Sequence, residues 1–389
     1  MKERLSRQIS AIKEQGNYRC VRYLRPVSST RVLYEGRQFL NLCSNSYLSL
    51  HAHEEVITAA RDAVREYGAG TCASRSVSGS IDIHRSLEEE IAAFKSYPGA
   101  LIFSSGYLAN MGIIATLAQE PDTIFSDGLN HSSIIDAARL SRARKVIYRH
   151  RDMADLERRL KRHRGKGEKF IVTESIFSMD GDVAPLGDLC ALKEKYGARL
   201  VVDEAHATGV FGERGQGLEE HFGLSGRIDV QMGTFGKALG SFGAFVLSGE
   251  IVLDYLVNRA RTFMYTTALP ASALAAARAA LKLVRRDGSI REGLWENIRY
   301  MRGRLSAAGF DLKESQGPII PLIVGEDEST TAMQRMLSER GIFLQAIRPP
   351  TVPEGTSRLR LTIVRAYTLE EMDEAVEGLC EAGRAAGVI

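Results

Sequence analysis

The sequence predicts an α/β fold with a mainly parallel sheet between helices, and three observations support this prediction. From about residue 85 to residue 250, amphipathic helical segments alternate with short apolar segments of strand length. Polar residues directly follow several apolar segments, as in sheets that bind ligands at the carboxyl ends of their strands. After about residue 270, alanine-rich helix gives way to scattered short apolar segments. This change predicts a second, smaller carboxyl-terminal domain.

The composition narrows the class of protein. The chain has 389 residues, 44% of them hydrophobic and 25% charged, which is enough to build two cores. The first residues lack the apolar segment of a signal peptide, and no apolar run could cross a bilayer. We therefore expect a cytoplasmic protein without membrane contact. A net charge of +3 is too small to indicate nucleic-acid binding.

The cysteines and one basic segment have simple interpretations. Five scattered cysteines without Cys-x-x-Cys spacing predict free thiols, with neither a disulfide framework nor a metal site. Residues 158–166 are strongly basic, but Leu156 and Leu160 keep helical spacing there. We interpret the segment as the solvated face of a crossover helix. Docking of an acidic carrier protein is the alternative.

Individual elements follow from the apolar spacing. Leu87, Ile91 and Phe94 form one helical stripe, residues 100–103 a strand, and residues 108–117 the next helix. Gly106 and Tyr107 then lie at a helix amino terminus, where exposed N–H groups can bind a phosphate. Strands at 123–125 and 170–173 lead into polar loops.

The two ends of the chain have their own patterns. Leu359, Leu361 and Ile363 alternate with polar residues, which predicts a half-buried, antiparallel strand. Apolar residues at helical spacing near the start predict an arm that packs on the body or on a second subunit. We expect an arm over residues 1–45, a large domain over 46–270 and a small domain over 271–389.

Lys237, in Gly-Thr-Phe-Gly-Lys-Ala-Leu-Gly, is the strongest candidate for a functional residue. An amine there can capture the aldehyde of pyridoxal phosphate (PLP) if an acid keeps the cofactor's ring nitrogen protonated. Asp203 ends an apolar strand and is the candidate acid, and His206 follows three residues later. A nucleotide phosphate loop is excluded, because Gln231 and Ala238 occupy positions that require glycine and Ser or Thr.

Together these segments resemble the α-oxoamine synthases, a family of fold-type I PLP enzymes. The resemblance covers nearly the whole chain and implies a mainly parallel seven-stranded sheet between helices, a smaller α+β carboxyl-terminal domain and a homodimer. It rests on six segments, residues 45–50, 104–110, 130–133, 174–182, 203–209 and 234–237.

The segment at residues 346–362 resembles the family members that join L-alanine to a pimeloyl thioester, carried on coenzyme A or on acyl carrier protein. The expected products are 8-amino-7-oxononanoate, CO2 and free thiol, in biotin synthesis. Cys72 departs from the family pattern, in which a glycine or another small residue is common, but this departure leaves the expected chemistry unaffected.

The resemblance also implies roles for individual residues. Lys237 would hold PLP and act as base, and Asp203 would pair with the ring nitrogen. His131 would stack on the ring and would also protonate or orient the carbonyl of the thioester substrate. His206 and Ser178 would bind the ring oxygen, and the phosphate would be bound by Gly106, Tyr107, Thr234 and either Thr266 or Thr267. Asn45 and Arg348 would bind the amino-acid carboxylate, for which a guanidinium is suited. Arg22 and Thr351 would bind the acyl substrate.

Two alternatives remain open at this point. The first is another amino acid and thioester within the same family, as in a glycine C-acetyltransferase or a synthase that uses a long acyl chain. The second is a non-catalytic, basic interaction protein, which would show no cofactor absorbance and salt-sensitive binding to polyanions.

Overall fold

In a computed structural model of the chain, residues 1–14 and 18–389 are described. They form two compact units, one of residues 45–295 and one that joins residues 1–44 to residues 296–389. The predicted division into an arm and two domains, at residues 45 and 270, stays a prediction about separate folding units. Residues 15–17 of the predicted arm lie outside the described residues.

The unit of residues 45–295 contains the large sheet and its helices. Its strands are β4 (Gly99–Phe103), β5 (Thr123–Asp127), β6 (Arg144–Tyr148), β7 (Lys169–Glu174), β8 (Arg199–Asp203), β9 (Val230–Thr234) and β10 (Ala244–Ser248). Its helices are α2 (Glu54–Tyr67), α3 (Asp82–Lys95), α4 (Gly106–Leu117), α5 (Ser132–Leu140), α6 (Met153–Arg162), α7 (Leu186–Tyr196), α8 (Leu218–His221), α9 (Glu250–Arg259), α10 (Arg261–Met264) and α11 (Ala271–Arg286).

The large sheet has the predicted seven strands, in the order β4-β10-β9-β8-β7-β5-β6. Strands β9, β8, β7, β5 and β6 pair in parallel, whereas β10 is antiparallel to both of its neighbours. Since β4 therefore runs in the same direction as β9, the carboxyl ends of β4, β5, β7 and β8 meet at one edge. The predicted convergence of the polar loops is confirmed.

Helix α4 shows how the core holds that edge in place. Ser105 caps the helix by accepting a hydrogen bond from the N–H of Leu108 at 3.3 Å. Ala109, Ile113 and Ile114 are almost fully buried in a core that also contains residues of β4, β9 and β10. Burial of an isoleucine side chain such as Ile113 or Ile114 stabilises the fold by about 1.5–3 kcal/mol. The amino terminus of α4 is therefore fixed beside the ends of the strands.

The basic segment and α1 agree with their predicted local structure. The segment lies partly on α6, where Leu156 and Leu160 are buried and the arginines are at least partly exposed. Helix α1 (Lys2–Glu14) has no buried residue, and Leu5, Ile9 and Ile12 are each more than two-fifths exposed. Packing of this arm on a second subunit stays a prediction.

The second unit carries two small sheets. Strands β1 (Arg25–Pro26), β2 (Arg31–Tyr34), β3 (Arg37–Asn41) and β12 (Ile342–Phe343) form one in that order, and β11 (Ile319–Gly325), β14 (Ser357–Thr362) and β13 (Ala346–Ile347) form the other. Its helices are α13 (Asp327–Glu339) and α14 (Leu369–Ala385), and α12 (Ser289–Ala307) crosses the boundary between the units in the sequence.

The prediction for β14 was partly wrong. The strand is antiparallel to β11 and β13, as predicted, but all six of its residues are buried. It is the central strand, and two of its polar residues pair with each other, since Arg360 donates a hydrogen bond to the hydroxyl of Thr362 at 3.1 Å. Alternation of apolar and polar residues was therefore a poor guide to exposure here.

Two further observations concern the whole of the described chain. All five cysteines are free thiols, as predicted. Within residues 1–14 and 18–389, no helix is long and apolar enough to cross a membrane.

Candidate active site

Helix α4 and the loops after β5 and β8 meet through a buried amide. The side-chain amide of Asn110, one turn into α4, donates to a carboxylate oxygen of Asp203 at 2.8 Å and to the hydroxyl of Ser133 at 2.9 Å. Asp203 is the last residue of β8, and Ser133 lies in the first turn of α5. The predicted residues Asp203 and His131 are therefore joined through two residues that sequence reasoning did not select.

The carboxylate of Asp203 has an unusual environment for a buried charge. It is 8% exposed, and its second oxygen accepts the backbone N–H of Ala205 at 2.9 Å. In the described part of the chain, no cationic nitrogen forms an ion pair with it. Buried carboxylates are normally paired with a positive charge. The position thus fits a positively charged group on a bound molecule.

Lys237 lies in a second buried chain of hydrogen-bonding groups. Its amine is 2.8 Å from Nε2 of His206, and Nδ1 of His206 is 2.5 Å from the hydroxyl of Tyr47. That hydroxyl also donates to the side-chain oxygen of Asn45 at 3.3 Å. Three residues predicted for the site, Lys237, His206 and Asn45, are therefore connected through Tyr47, which is fully buried.

His131 stands at the amino terminus of α5. Its Nδ1 lies 2.8 Å from the hydroxyl of Ser133 and accepts the backbone N–H of that residue at 3.2 Å. Burial lowers the pKa of His131; the carboxylate of Asp203 opposes this shift, and the charge of Lys237 adds to it. The ring is therefore neutral near pH 7, as a ring that stacks on an aromatic cofactor can be.

The residues predicted to bind phosphate lie on exposed or half-buried turns. Gly106 and Tyr107 begin α4, and the hydroxyl of Tyr107 donates to Asp136. The hydroxyl of Thr234 donates to the carbonyl of Gly243 at 2.8 Å and accepts the N–H of Gly236 at 3.1 Å. Thr266 and Thr267 precede α11; Thr266 and Ser178 are half-buried, whereas Thr267 is exposed.

A buried ion pair supports the segment that carries Asp203 and His206. The amine of Lys95 lies 2.6 Å from Glu204, and both side chains are almost completely buried. The other carboxylate oxygen of Glu204 accepts the N–H groups of Leu218 and Glu219 at 2.8 and 3.0 Å. The ion pair of Lys95 and Glu204 therefore fixes the backbone between Asp203 and His206, and both of its charges have hydrogen-bond partners.

The other predicted substrate residues are in the unit of residues 1–44 and 296–389. Arg22, Arg348 and Thr351 line one cavity of about 470 Å³, together with Arg19, Gln334 and Gln345. Arg19 donates to the hydroxyl of Thr351 at 2.8 Å, and the guanidinium of Arg22 lies 5.6 Å from the ring centre of Phe343. Cation–π contact of this kind orients the guanidinium without neutralising it.

Sequence reasoning missed Asn110, Ser133 and Tyr47 as residues of the site. Each lies within a segment that was noted for its resemblance to the α-oxoamine synthases, so the signal was present. Asn110 is four residues after Gly106, which puts both on one face of a helix that starts at the strand end. Glu174, the last residue of β7, is also buried beside Asp203 and was not selected.

The residues of the unit of residues 45–295 fit PLP by their chemistry. An amine for the aldehyde, an unpaired buried carboxylate for a protonated ring nitrogen and a neutral imidazole for the ring face are all present. Helix α4 begins at the same sheet edge and offers backbone N–H groups for a phosphate.

Comparison with known proteins agrees with this geometry. The model of the aminotransferase class I and II family matches residues 37–379. An 8-amino-7-oxononanoate synthase from Geobacter sulfurreducens is 47% identical over the full length of both chains, and one from Lysinibacillus sphaericus is 43% identical over the full length of both. The chain belongs to the 8-amino-7-oxononanoate synthase family of class I and II aminotransferases.

Solved structures of similar proteins have the same fold. A serine palmitoyltransferase variant from S. paucimobilis, solved with bound PLP, has a TM-score of 0.93 at 33% identity and covers 99% of this chain and 98% of its own. An 8-amino-7-oxononanoate synthase from Francisella tularensis has a TM-score of 0.76 at 29% identity and covers 89% and 98%. The predicted fold-type I class is confirmed.

Proposed function

We propose that this protein uses PLP to condense L-alanine with a pimeloyl thioester, releasing CO2 and free thiol and forming 8-amino-7-oxononanoate in biotin synthesis. The full-length similarity to several 8-amino-7-oxononanoate synthases carries this proposal. The buried arrangement of Lys237, His206 and Asp203 gives it a chemical basis. When bound, PLP supplies the electron sink that stabilises a carbanion on the amino acid.

The protein's own residues then divide the work of binding and proton transfer. Lys237 would hold the cofactor through its aldehyde and would take the proton from Cα of L-alanine. The carboxylate of Asp203 would accept a hydrogen bond from the cofactor's ring nitrogen. His206 and Ser178 bind the ring oxygen and His131 covers the ring face, while Gly106, Tyr107, Thr234 and Thr266 or Thr267 bind the phosphate.

The substrate residues suit an amino acid and an acyl chain that both carry a carboxylate. Asn45 and Arg348 bind the carboxylate of L-alanine in this proposal. Arg22 and Thr351 bind the acyl substrate, and the cavity that they line is rich in arginine. A pimeloyl chain ends in a carboxylate, whereas an acetyl group has no charge. A guanidinium therefore favours the longer, charged donor.

The acyl preference can be tested with a matched pair of donors. Heptanoyl-CoA has the length of pimeloyl-CoA without its terminal carboxylate. We expect wild-type kcat/KM to be at least about tenfold higher for pimeloyl-CoA, as for one charged hydrogen bond. Arg22→Met should remove most of this ratio by lowering activity with pimeloyl-CoA alone. Equal activity with both donors in the wild type would contradict the role of Arg22.

The proposal includes a cytoplasmic homodimer. Tyr107, Phe242 and Tyr265 are between 42% and 69% exposed, and each lies in or near a segment predicted to bind PLP. Exposed apolar side chains that cluster near a site are typical of an interface. Free cysteines are typical of a reducing compartment. Light scattering of the purified protein should give twice the monomer mass of 42.8 kDa, whereas a monomer of full activity would refute the dimer.

A sister activity within the family is the second candidate. The high structural similarity to a serine palmitoyltransferase shows that one fold serves different amino acids and acyl donors in this group. A glycine C-acetyltransferase would need the same Lys237 and Asp203 but would not use a cationic acyl pocket. The accepted substrates decide between these two candidates.

A further inference from the structure

Two buried polar side chains near the candidate site have no role in the proposed reaction. Ser133, in the first turn of α5, is 1% exposed, and Asn110 of α4 is 2% exposed. They lie in line between Asp203 and His131, and hydrogen bonds of 2.8, 2.9 and 2.8 Å join the four side chains. In such a chain, the groups that can only donate or only accept determine where the remaining hydrogens lie.

The orientation of the Asn110 amide follows from Asp203. A carboxylate oxygen only accepts hydrogen bonds, so the atom of Asn110 that lies 2.8 Å from it belongs to the NH2 group. The same NH2 group lies 2.9 Å from Oγ of Ser133, and an amide NH2 group only donates. The Ser133 oxygen therefore accepts from Asn110, and its own hydrogen stays available for His131.

The backbone of Ser133 determines which nitrogen of His131 carries the proton. Its N–H can only donate, and it points to Nδ1 at 3.2 Å, the nitrogen that also lies 2.8 Å from the Ser133 hydroxyl. A hydrogen on Nδ1 would face this N–H directly, whereas a bare Nδ1 can accept a hydrogen bond there. The network therefore favours a ring whose proton is on Nε2.

The other ring nitrogen of His131 remains for a ligand. Although Nδ1 lies against the buried Ser133, His131 keeps an exposed surface, and its Nε2 forms no hydrogen bond within the described part of the chain. The oxygens of an amino-acid carboxylate and of a thioester carbonyl only accept hydrogen bonds. An N–H at Nε2 can bind such an oxygen, whereas a bare nitrogen there would repel it.

We propose that Ser133, oriented by Asn110, is a positioning residue that keeps the proton of the His131 ring on Nε2, where the ring serves the bound substrate as a hydrogen-bond donor. This inference rests on the function proposed above, in which His131 covers the cofactor ring and the substrates are an amino acid and a thioester. Ser133 acts through His131 and makes no contact of its own with either substrate.

Nitrogen NMR of the PLP-loaded protein measures the position of this proton directly. The chain contains eight histidines, and the spectrum of His131→Gln identifies the signals of His131 by their loss. At about pH 8, where an ordinary imidazole is neutral, we expect Nε2 to carry the proton in the wild type. In Ser133→Ala, the Nδ1 signal should move towards that of a nitrogen without a hydrogen bond. A wild-type ring with its proton on Nδ1 would overturn the proposal.

Turnover provides the second measurement. We expect Ser133→Ala to retain PLP but to lower kcat for condensation about tenfold, because the donor is no longer held in place. Ser133→Thr keeps the hydroxyl and should stay within about threefold of wild type. Ser132→Ala is the matched control, since Ser132 is the exposed neighbour on α5 and forms no side-chain hydrogen bond in the described chain. Wild-type kcat in Ser133→Ala, or an equal loss in Ser133→Thr, would overturn the positioning role.

The NMR measurement does not depend on the reaction. A wild type that fails to condense L-alanine with pimeloyl-CoA would refute the proposed function, but its spectrum would still confirm or overturn the role of Ser133 in holding the proton on Nε2. If Ser133→Ala does not fold, the wild-type spectrum decides, because a proton on Nδ1 is incompatible with that role.

Discussion

The amine of Lys237 lies 2.8 Å from Nε2 of His206, a residue 31 positions earlier in the sequence. The opposite ring nitrogen of His206 is held by the hydroxyl of Tyr47 at 2.5 Å. Because one hydrogen bond fixes which nitrogen of an imidazole carries the proton, Tyr47 sets the state of the nitrogen that faces the lysine. The position of Lys237 thus depends on a chain of three side chains, of which His206 and Tyr47 are buried.

Tyr47→Phe tests this dependence. Removal of the hydroxyl leaves Nδ1 of His206 without this partner, and we expect kcat to fall about tenfold while PLP stays bound. The pH at which the visible absorbance of the lysine-bound cofactor changes should also move. Tyr148→Phe is the control, since the buried hydroxyl of Tyr148 has no partner among the described residues. Equal effects of both substitutions would refute the role of Tyr47.

Lys237→Ala tests the proposed attachment of the cofactor. The variant should lack the visible absorbance of lysine-bound PLP, and turnover should be lost because base and attachment point are one group. Lys195→Ala, which removes an exposed lysine paired with Glu157, should behave as wild type. Retention of activity by Lys237→Ala would exclude the assignment of the site.

Asp203→Asn tests the electrostatic partner of the ring nitrogen. The amide has the shape of the carboxylate, but it cannot stabilise a positive charge in a buried position. We expect PLP content close to wild type and kcat at least about 100-fold lower. Cofactor content by absorbance and turnover by product mass check this directly, and kcat near the wild-type value would remove Asp203 from the reaction.

His150 gives the fold a pH dependence that can be measured without substrates. It lies 2.8 Å from both Asp127 and Asp182. Burial opposes the charged ring, but hydrogen bonds to these two carboxylates raise the pKa of His150 to about 9. Because this folded-state pKa lies above the unfolded value of about 6.5, the stabilisation is full below pH 6.5 and is lost as pH rises through 9.

Urea unfolding of wild type and of His150→Gln checks whether the stabilisation by His150 is lost as pH rises. We expect the difference in unfolding free energy between wild type and His150→Gln to shrink by about 1–2 kcal/mol between pH 6 and pH 9.5. This is less than the full pKa shift would give, because His150 is partly exposed and solvent screens its charge. A difference that is constant over this range would show that His150 is not charged in the folded protein.

Lys95→Met tests whether the buried ion pair of Lys95 and Glu204 stabilises the segment that carries Asp203. The substitution leaves the buried charge of Glu204 without its partner, which costs about 3–5 kcal/mol of unfolding free energy. The double variant with Glu204→Gln should recover part of this loss, because no unpaired charge then remains. The midpoints of urea unfolding measure the stability of the single and the double variant. A Lys95→Met protein as stable as wild type would show that this ion pair does not stabilise the fold.

The sequence was a good guide to the elements and a poorer one to their contacts. Strands such as β8 were predicted because their apolar residues are continuous, and the edge at which Asp203 emerges follows from the parallel order. The antiparallel direction of β10 depends on long-range pairing that no local pattern specifies. The polar residues of β14 suggested exposure, but Arg360 and Thr362 are buried and joined by a hydrogen bond inside the fold.

The same limit applies within the candidate site. Lys237, Asp203 and His206 could be selected because their residue types have distinct chemical uses with PLP, whereas His131 was selected through the resemblance to the α-oxoamine synthases. Tyr47 was missed, although it lies in a segment of that resemblance, because its contact with His206 spans 159 positions. Asn110 was missed for the same reason, being 93 positions from Asp203.

The most direct test of the account is thiol release by the purified, PLP-loaded protein, with each product identified by mass. L-alanine with pimeloyl-CoA is compared with glycine and acetyl-CoA. We predict release with the alanine pair alone and a product of the mass of 8-amino-7-oxononanoate. Release with glycine and acetyl-CoA alone would contradict the proposed substrates and assign the protein a sister activity on the same site.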